Sequence, residues 1–316
     1  MNLVKAAVPV FLVVFLAGCN SKFTSPSAPS SISSTSSNGL IPVDTPEGQI
    51  GWSPYIVVHD DGSAINGYET ALKLLKSRGM VRGVRLSIGV NPNRVTQMIK
   101  SLDIEVFGSI PNERLFDSNI EQTMDMYISF NPGVQIIQIG NEVSTINKSA
   151  GFSNMPIEDY MKAFLKIYDH VQSKYPHLTL VTQSTFGAGS YGADELRKMS
   201  ELGLKPDRIS PQKVVVAINV YTDSALASYA SAINRYLGGK YRIWVTETGI
   251  SDPARQIYHV GSFYPRLASS LGAERIYWYA LWSGDTPPDS GFSLIFNPRG
   301  PNQTYSPLFK ALAGTE

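Results

Sequence analysis

Val134-Gln135-Ile136-Ile137-Gln138-Ile139-Gly140-Asn141-Glu142-Val143 is the stretch that decides the fold. An apolar run alternating with glutamines ends in Gly-Asn-Glu, the pattern of a buried strand that delivers a carboxylate at its C-terminal tip. Tyr241-Arg242-Ile243-Trp244-Val245-Thr246-Glu247-Thr248-Gly249 repeats the pattern roughly a hundred residues later. Two strand-end glutamates so far apart suit two units of one parallel barrel, whose strands all aim their C-terminal ends at one mouth.

Working outward, strand-like runs recur at Tyr55–Val58, Val84–Ile88, Ile104–Phe107, Val134–Ile139, Leu178–Val181, Val214–Ile218, Tyr241–Val245 and Arg275–Tyr279. The mean repeat of about thirty residues suits a strand plus a crossover helix. Amphipathic patterns fill the gaps. Ser63 is placed to cap a helix bearing Tyr68, Ala71, Leu72 and Leu75 on one face, closed by Gly79. Pro156 sits where a first-turn proline belongs, ahead of Tyr160, Met161, Phe164, Leu165, Tyr168 and Val171, and Pro176 stops that helix. Eight strand–helix pairs predict an α/β fold, a closed (β/α)8 TIM barrel rather than an open sheet, over residues 49–316.

The 316 residues carry 27 basic and 26 acidic side chains, a balance that gives no reason to expect nucleic acid. The one cysteine, Cys19, excludes an intrachain disulfide. It follows Lys5 and an apolar segment, Ala6–Leu16, of signal-peptide rather than membrane-spanning length. Leu16-Ala17-Gly18-Cys19 resembles the bacterial lipobox, so residues 1–19 are expected to be a lipoprotein signal peptide. Lipidation of Cys19 would then hold the protein to a membrane of the bacterial cell envelope. Asn20 in place of an aspartate favours the outer membrane. Residues 20–48 are mostly Ser, Thr, Pro and small side chains and are expected to form a flexible tether, because such a segment buries too little apolar surface to offset its ordering entropy.

By this segmentation Glu142 ends the fourth barrel strand and Glu247 the seventh. A carboxylate pair across a sugar-binding cleft can cleave a glycosidic bond, one acting as acid and then base. The other acts as nucleophile when the two stand about 5–5.5 Å apart.

These residues resemble a clan of retaining β-glycosidases built as (β/α)8 barrels, with Asn-Glu at the end of strand four and a glutamate nucleophile ending strand seven. Within that clan the chain is most similar to glycoside hydrolase family 17, the β-1,3-glucanase group. Ala71–Gly79 followed by Val84-Arg85-Leu86 resembles that family's first helix and second strand, and Ile104–Glu113 its third strand and loop. Gly140–Val143 and Thr246–Gly249 resemble the acid/base and nucleophile motifs, and Tyr279-Ala280-Leu281-Trp282 the last strand. Ser87-Ile88, Ile250-Ser251 and Ser283-Gly284-Asp285 stand where the family has other residues, which leaves its substrate open here.

The resemblance implies a retaining hydrolase with Glu142 as acid/base and Glu247 as nucleophile, with no cofactor and no metal. Asn141 would bind a sugar hydroxyl beside the scissile bond. Tyr221 would orient the nucleophile, Arg85 would keep it ionised, and Trp282 would offer a flat face to a sugar ring. His59 and Asn112 are further strand-end polar candidates. The expected partners are a polysaccharide or oligosaccharide substrate and, through the anchor, a membrane; a monomer is expected. Two alternatives remain: a transglycosylase of the same fold, and a non-catalytic glycan-binding envelope lipoprotein.

Two other patterns carry less. Gly187-Ala188-Gly189-Ser190-Tyr191-Gly192 matches G-x-G-x-x-G, but no strand-end acidic residue follows at the spacing a dinucleotide site needs, so it reads as a glycine-rich loop. The four histidines show no metal-ligand spacing.

Overall fold

The computed structural model describes residues 41–45, 48–91, 93–144, 155–186 and 190–315. The signal segment with Cys19, the Ser-rich run up to residue 40 and Gly187-Ala188-Gly189 of the glycine-rich loop lie outside these residues.

The first described element departs from the sequence expectation. Ile41–Thr45 (β1) pairs antiparallel with Gly48–Trp52 (β2), so regular structure begins within the segment read as tether. At its end Trp52 is fully buried, stacked on Tyr264 at 5.9 Å and donating its indole N–H to the Met80 carbonyl. Aromatic burial of this kind fixes the hairpin against the domain, which a polar tether has no means to do.

Eight parallel strands then close a barrel: β3 (Tyr55–Val57), β4 (Gly83–Ser87), β5 (Glu105–Ile110), β6 (Ile136–Ile139), β7 (Thr179–Val181), β8 (Val214–Asn219), β9 (Arg242–Thr248) and β10 (Ala273–Trp278). They lie in sequence order, and β10 pairs back to β3. Helices α1 (Ile65–Ser77), α2 (Arg94–Ser101), α3 (Ile120–Phe130), α4 (Ile157–Lys174), α5 (Tyr191–Glu201), α6 (Asp223–Ala232) and α7 (Gln256–Leu271) alternate with the strands. A short hairpin, β11 (Ile295–Phe296) with β12 (Thr304–Tyr305), and α8 (Pro307–Ala313) follow. Each of the eight expected strands is present, with ends moved by up to three residues. At α1 the cap differs: Asp61, not Ser63, accepts the backbone N–H, and a 3-10 turn over Gly62–Ala64 leads into the helix.

The period of two along each strand sorts side chains between two cores. Val84, Ile137, Val216, Ile243 and Val245 face the helices, while Val57, Phe107, Val181, Ala217, Trp244 and Tyr277 fill the barrel interior. Phe107 meets Trp244 edge-on at 5.5 Å and Tyr277 at 5.4 Å. Each such buried aromatic stabilises by roughly 1.5–3 kcal/mol. Together they make an apolar floor beneath the C-terminal mouth.

Candidate active site

One pleat repeat above that floor the inward positions turn polar. Arg85 on β4, Gln138 on β6, Asn219 on β8 and Thr246 on β9 are all buried, and Ser184 just after β7 joins them. Over this polar layer sit the two glutamates.

Glu247, at the end of β9, is 8 % exposed. Its Oε1 accepts from Arg85 Nη1 at 2.6 Å and from Asn141 Nδ2 at 3.4 Å, and its Oε2 accepts from the Tyr221 hydroxyl at 2.9 Å. Three donors, one a full cation, surround this carboxylate. Tyr221 hydroxyl deprotonation is pushed well above its ordinary range, by burial first and then by Glu247, so the phenol remains a donor.

Glu142 follows β6 in a tight turn. Gly140 adopts φ +79°, where a Cβ would lie 2.6 Å from Val143 Cγ1, and Glu142 itself has φ +49°. A left-handed backbone at a non-glycine costs about 1–3 kcal/mol and persists only where its surroundings fix it. Here the Glu142 N–H donates to the Ser184 carbonyl at 2.9 Å, and the Val143 N–H to Gln183 Oε1 at 2.9 Å. Among the described residues the Glu142 carboxyl accepts one side-chain bond, from Asn219 Nδ2 at 2.7 Å. Burial, reinforced by the negative charge of Glu247, pushes this carboxyl up to about 8; Asn219 and Arg85 pull the other way. One mouth thus holds one carboxyl inclined to keep its proton and one wrapped in donors.

Of the other candidate residues, Asn112 clamps Asn141 from both sides: its Nδ2 donates to the Asn141 carbonyl at 2.7 Å, and its Oδ1 accepts the Asn141 N–H at 2.8 Å. Asn141 Oδ1 is buried with no partner among the described residues. His59, after β3, lies edge-on to Tyr279 at 5.6 Å, and burial lowers its proton affinity. Trp282 requires a correction. It is 6 % exposed, with the Arg299 guanidinium 4.5 Å from its ring centre, Tyr68 at 6.4 Å and its indole N–H on Asp285. Its ring is covered, so it packs the rim instead of presenting a sugar platform. The aromatic surface nearest Glu247 is made by Tyr221, Phe292 and Tyr279, which meet at 5.9–6.0 Å and are half-buried. Sequence reasoning did not single out Phe292 or Tyr279 as site residues, nor Gln138, Ser184, Asn219 and Thr246. For Gln138, Asn219 and Thr246 a signal existed: each stands two residues beyond an inward apolar position of its own strand, Ile136, Ala217 and Trp244.

No protein-family model matches the chain, and no curated protein does. Solved structures do. A GH39 β-xylosidase from Caulobacter crescentus aligns with TM-score 0.60 at 13 % identity, over 86 % of this chain and 71 % of that one. A β-mannanase from Thermomonospora fusca, in complex with mannotriose, aligns with TM-score 0.55 at 15 % identity, over 84 % and 92 %. Gas2p from Saccharomyces cerevisiae, in complex with laminaritetraose and laminaripentaose, aligns with TM-score 0.57 at 13 % identity, over 87 % and 66 %. These neighbours do not single out family 17. At these identities the likeness is one of fold: the chain has a closed (β/α)8 barrel, as those glycoside hydrolases do.

Proposed function

We propose that the protein is a retaining glycoside hydrolase that cleaves a β-linked glycan by double displacement. Glu142, protonated at rest, gives its proton to the leaving oxygen while Glu247 attacks the anomeric carbon. Glu142, now ionised, takes a proton from water as the water displaces Glu247. The observation that carries this reading is the contrast between the two carboxyls at one barrel mouth: Glu247 holds three donors, and Glu142 is pushed up to about 8. Opposed environments are how two glutamates divide acid and nucleophile roles. Asn141, half-buried beside Glu247 with its Nδ2 3.4 Å from Oε1, would contact a sugar hydroxyl next to the scissile bond. Tyr221, Phe292 and Tyr279 supply apolar ring surface to the pyranose.

The glycosidase neighbours, one bound to mannotriose and one to laminari-oligosaccharides, support a β-glucan or another envelope polysaccharide as substrate. Delivery to the cell envelope through a lipidated Cys19 belongs to the same reading and rests on Leu16-Ala17-Gly18-Cys19. The test is a screen on β-1,3-, β-1,4- and β-1,6-glucans and envelope polysaccharides, with the first product anomer read by proton NMR. Retention of the β configuration is expected, and an α product would overturn the double displacement. Adding excess acceptor to the same assay separates hydrolysis from transfer to a second glycan.

A further inference from the structure

The polar layer beneath the two glutamates forms one continuous hydrogen-bond chain, and it begins at a group that can only donate. A guanidinium only donates, so Arg85 Nε, 2.6 Å from Gln138 Oε1, sets the orientation of the Gln138 amide. The Gln138 Nε2 group must then donate to Ser184 Oγ at 2.7 Å. Either hydroxyl can donate in the 2.5 Å contact between Ser184 Oγ and Thr246 Oγ1, and the order in which Ser184 donates leaves Thr246 its own proton to pass on. Thr246 passes its own proton to Asn219 Oδ1 at 3.0 Å, a better partner than the Ile218 carbonyl at 3.3 Å. With its carbonyl so engaged, Asn219 presents its NH2 to Glu142 Oε1 at 2.7 Å. Gln138, Ser184, Asn219 and Thr246 are each fully buried and Arg85 is 5 % exposed, so water does not compete for the bonds among them; the last link reaches the half-buried Glu142.

We infer that Asn219 is a positioning residue for Glu142. The chain from Arg85 through Gln138, Ser184 and Thr246 locks its amide so that Oε1 always receives a donor and the acidic proton resides on Oε2. The inference deepens the glycosidase reading and rests on it. Two consequences follow for the reaction. The proton to be transferred has one fixed position, toward the cleft. The chain also ends as a donor on Glu142, so it favours the carboxylate that the second step needs as a base, against burial, which favours the acid. Other charged or titratable groups act on Glu142 from neighbouring elements: Glu247 on β9, Arg85 on β4, Glu195 on α5, Tyr221 after β8, Tyr279 after β10 and Tyr229 on α6. None of them is removed by a change at Thr246 or Ser184.

Thr246→Val keeps the shape and cuts the chain; Thr246→Ser restores the hydroxyl. Ser184→Ala cuts the chain one link earlier and serves if the valine variant does not fold. Glu142 is followed directly by carbon-13 NMR of protein labelled at the glutamate carboxyl, with the resonance assigned by Glu142→Gln and no substrate present. The chain predicts that Thr246→Val or Ser184→Ala moves the Glu142 titration up by about one pH unit, a tenfold gain in proton affinity. Thr246→Ser should return it to the wild-type position. An unmoved titration in the folded variants overturns the inference, as does an equal shift in Thr246→Ser. The alkaline limb of the kcat/KM profile should move by the same amount. If the carboxyl titration moves while the alkaline limb does not, Glu142 is not the catalytic acid. That outcome refutes the glycosidase assignment and the positioning role built on it, and leaves only the hydrogen-bond order standing.

Discussion

Arg85 links the two halves of this site, and replacing it has a calculable cost. Its guanidinium donates to Glu247 Oε1 and to Gln138 Oε1, both at 2.6 Å, and Arg85 and Glu247 are 5 % and 8 % exposed. Arg85→Met fills much of the same volume and leaves a buried carboxylate with only Tyr221 and the long bond from Asn141. Breaking a buried pair from one side costs about 3–5 kcal/mol, because the surviving charge is uncompensated. For a domain of this size that lowers the melting temperature by roughly 5–9 °C. The assay is a double-mutant cycle by thermal unfolding with Glu247→Gln, which removes the stranded charge. The double variant should be less destabilised than the sum of the singles by about 2 kcal/mol or more. Raising the salt concentration should change this coupling little, since a buried pair is weakly screened. Additivity within about 0.5 kcal/mol would refute the reasoning, because it would mean that Arg85 and Glu247 do not interact.

The remaining predictions concern protons, roles and ends. Glu142 lies at about 8, above its ordinary 4.5, so activity requiring the acid form should persist through neutral pH and fall as pH rises through about 8. The stability that Glu142 contributes is full below its ordinary range and is lost between about 4.5 and 8; unfolding measurements should show Glu142→Gln gaining on wild type across that window and holding the gain above it. On an aryl β-glycoside with an acidic leaving group, Glu142→Gln should form the glycosyl-enzyme and accumulate it, and azide should restore turnover with a β-glycosyl azide as product. Glu247→Gln should be inactive on every substrate, and the reverse pattern would exchange the two roles. Cys19→Ala should abolish lipid labelling. A chain starting at residue 39 should melt as the full chain does, whereas one starting at residue 46 loses the β1 pairing and should melt lower; equal melting of the two would show that the hairpin contributes nothing.

Much of this was legible in the sequence because a parallel barrel imposes a simple pattern. Its strands are buried on both faces, so they stand out as apolar runs, and the reacting groups must follow them directly. Glu142 and Glu247 therefore stood out as the candidate pair, and Arg85 was visible as a charge inside an apolar strand. Thr246, Asn219 and Ser184 were harder to see. Single small polar residues within apolar runs look unremarkable until the strand's parity shows that they point at one another. Trp282 misled for a related reason. An aromatic at a strand end resembles a sugar platform, but the Arg299 that covers it arrives from a distant turn before β12 that no periodicity signals. The β1–β2 hairpin escaped notice because Ile41-Pro42-Val43 and Gln49-Ile50-Gly51-Trp52 are short, carry Pro and Gly, and adjoin the Ser-rich run. Their anchor is tertiary: Trp52 is buried against Tyr264.

In the proposed reaction Glu247 attacks the sugar while Glu142 handles the proton. That division of roles is tested most directly by trapping the covalent intermediate. Incubation with a 2-deoxy-2-fluoro-β-glycosyl fluoride of the sugar identified by the screen slows the second step, and peptide mass spectrometry then locates the adduct. One sugar per chain is expected on the Thr246-Glu247-Thr248 peptide, and no label on the Glu247→Gln variant. A label on Glu142 or any other carboxylate, or full turnover with no adduct at all, would contradict the proposed reaction.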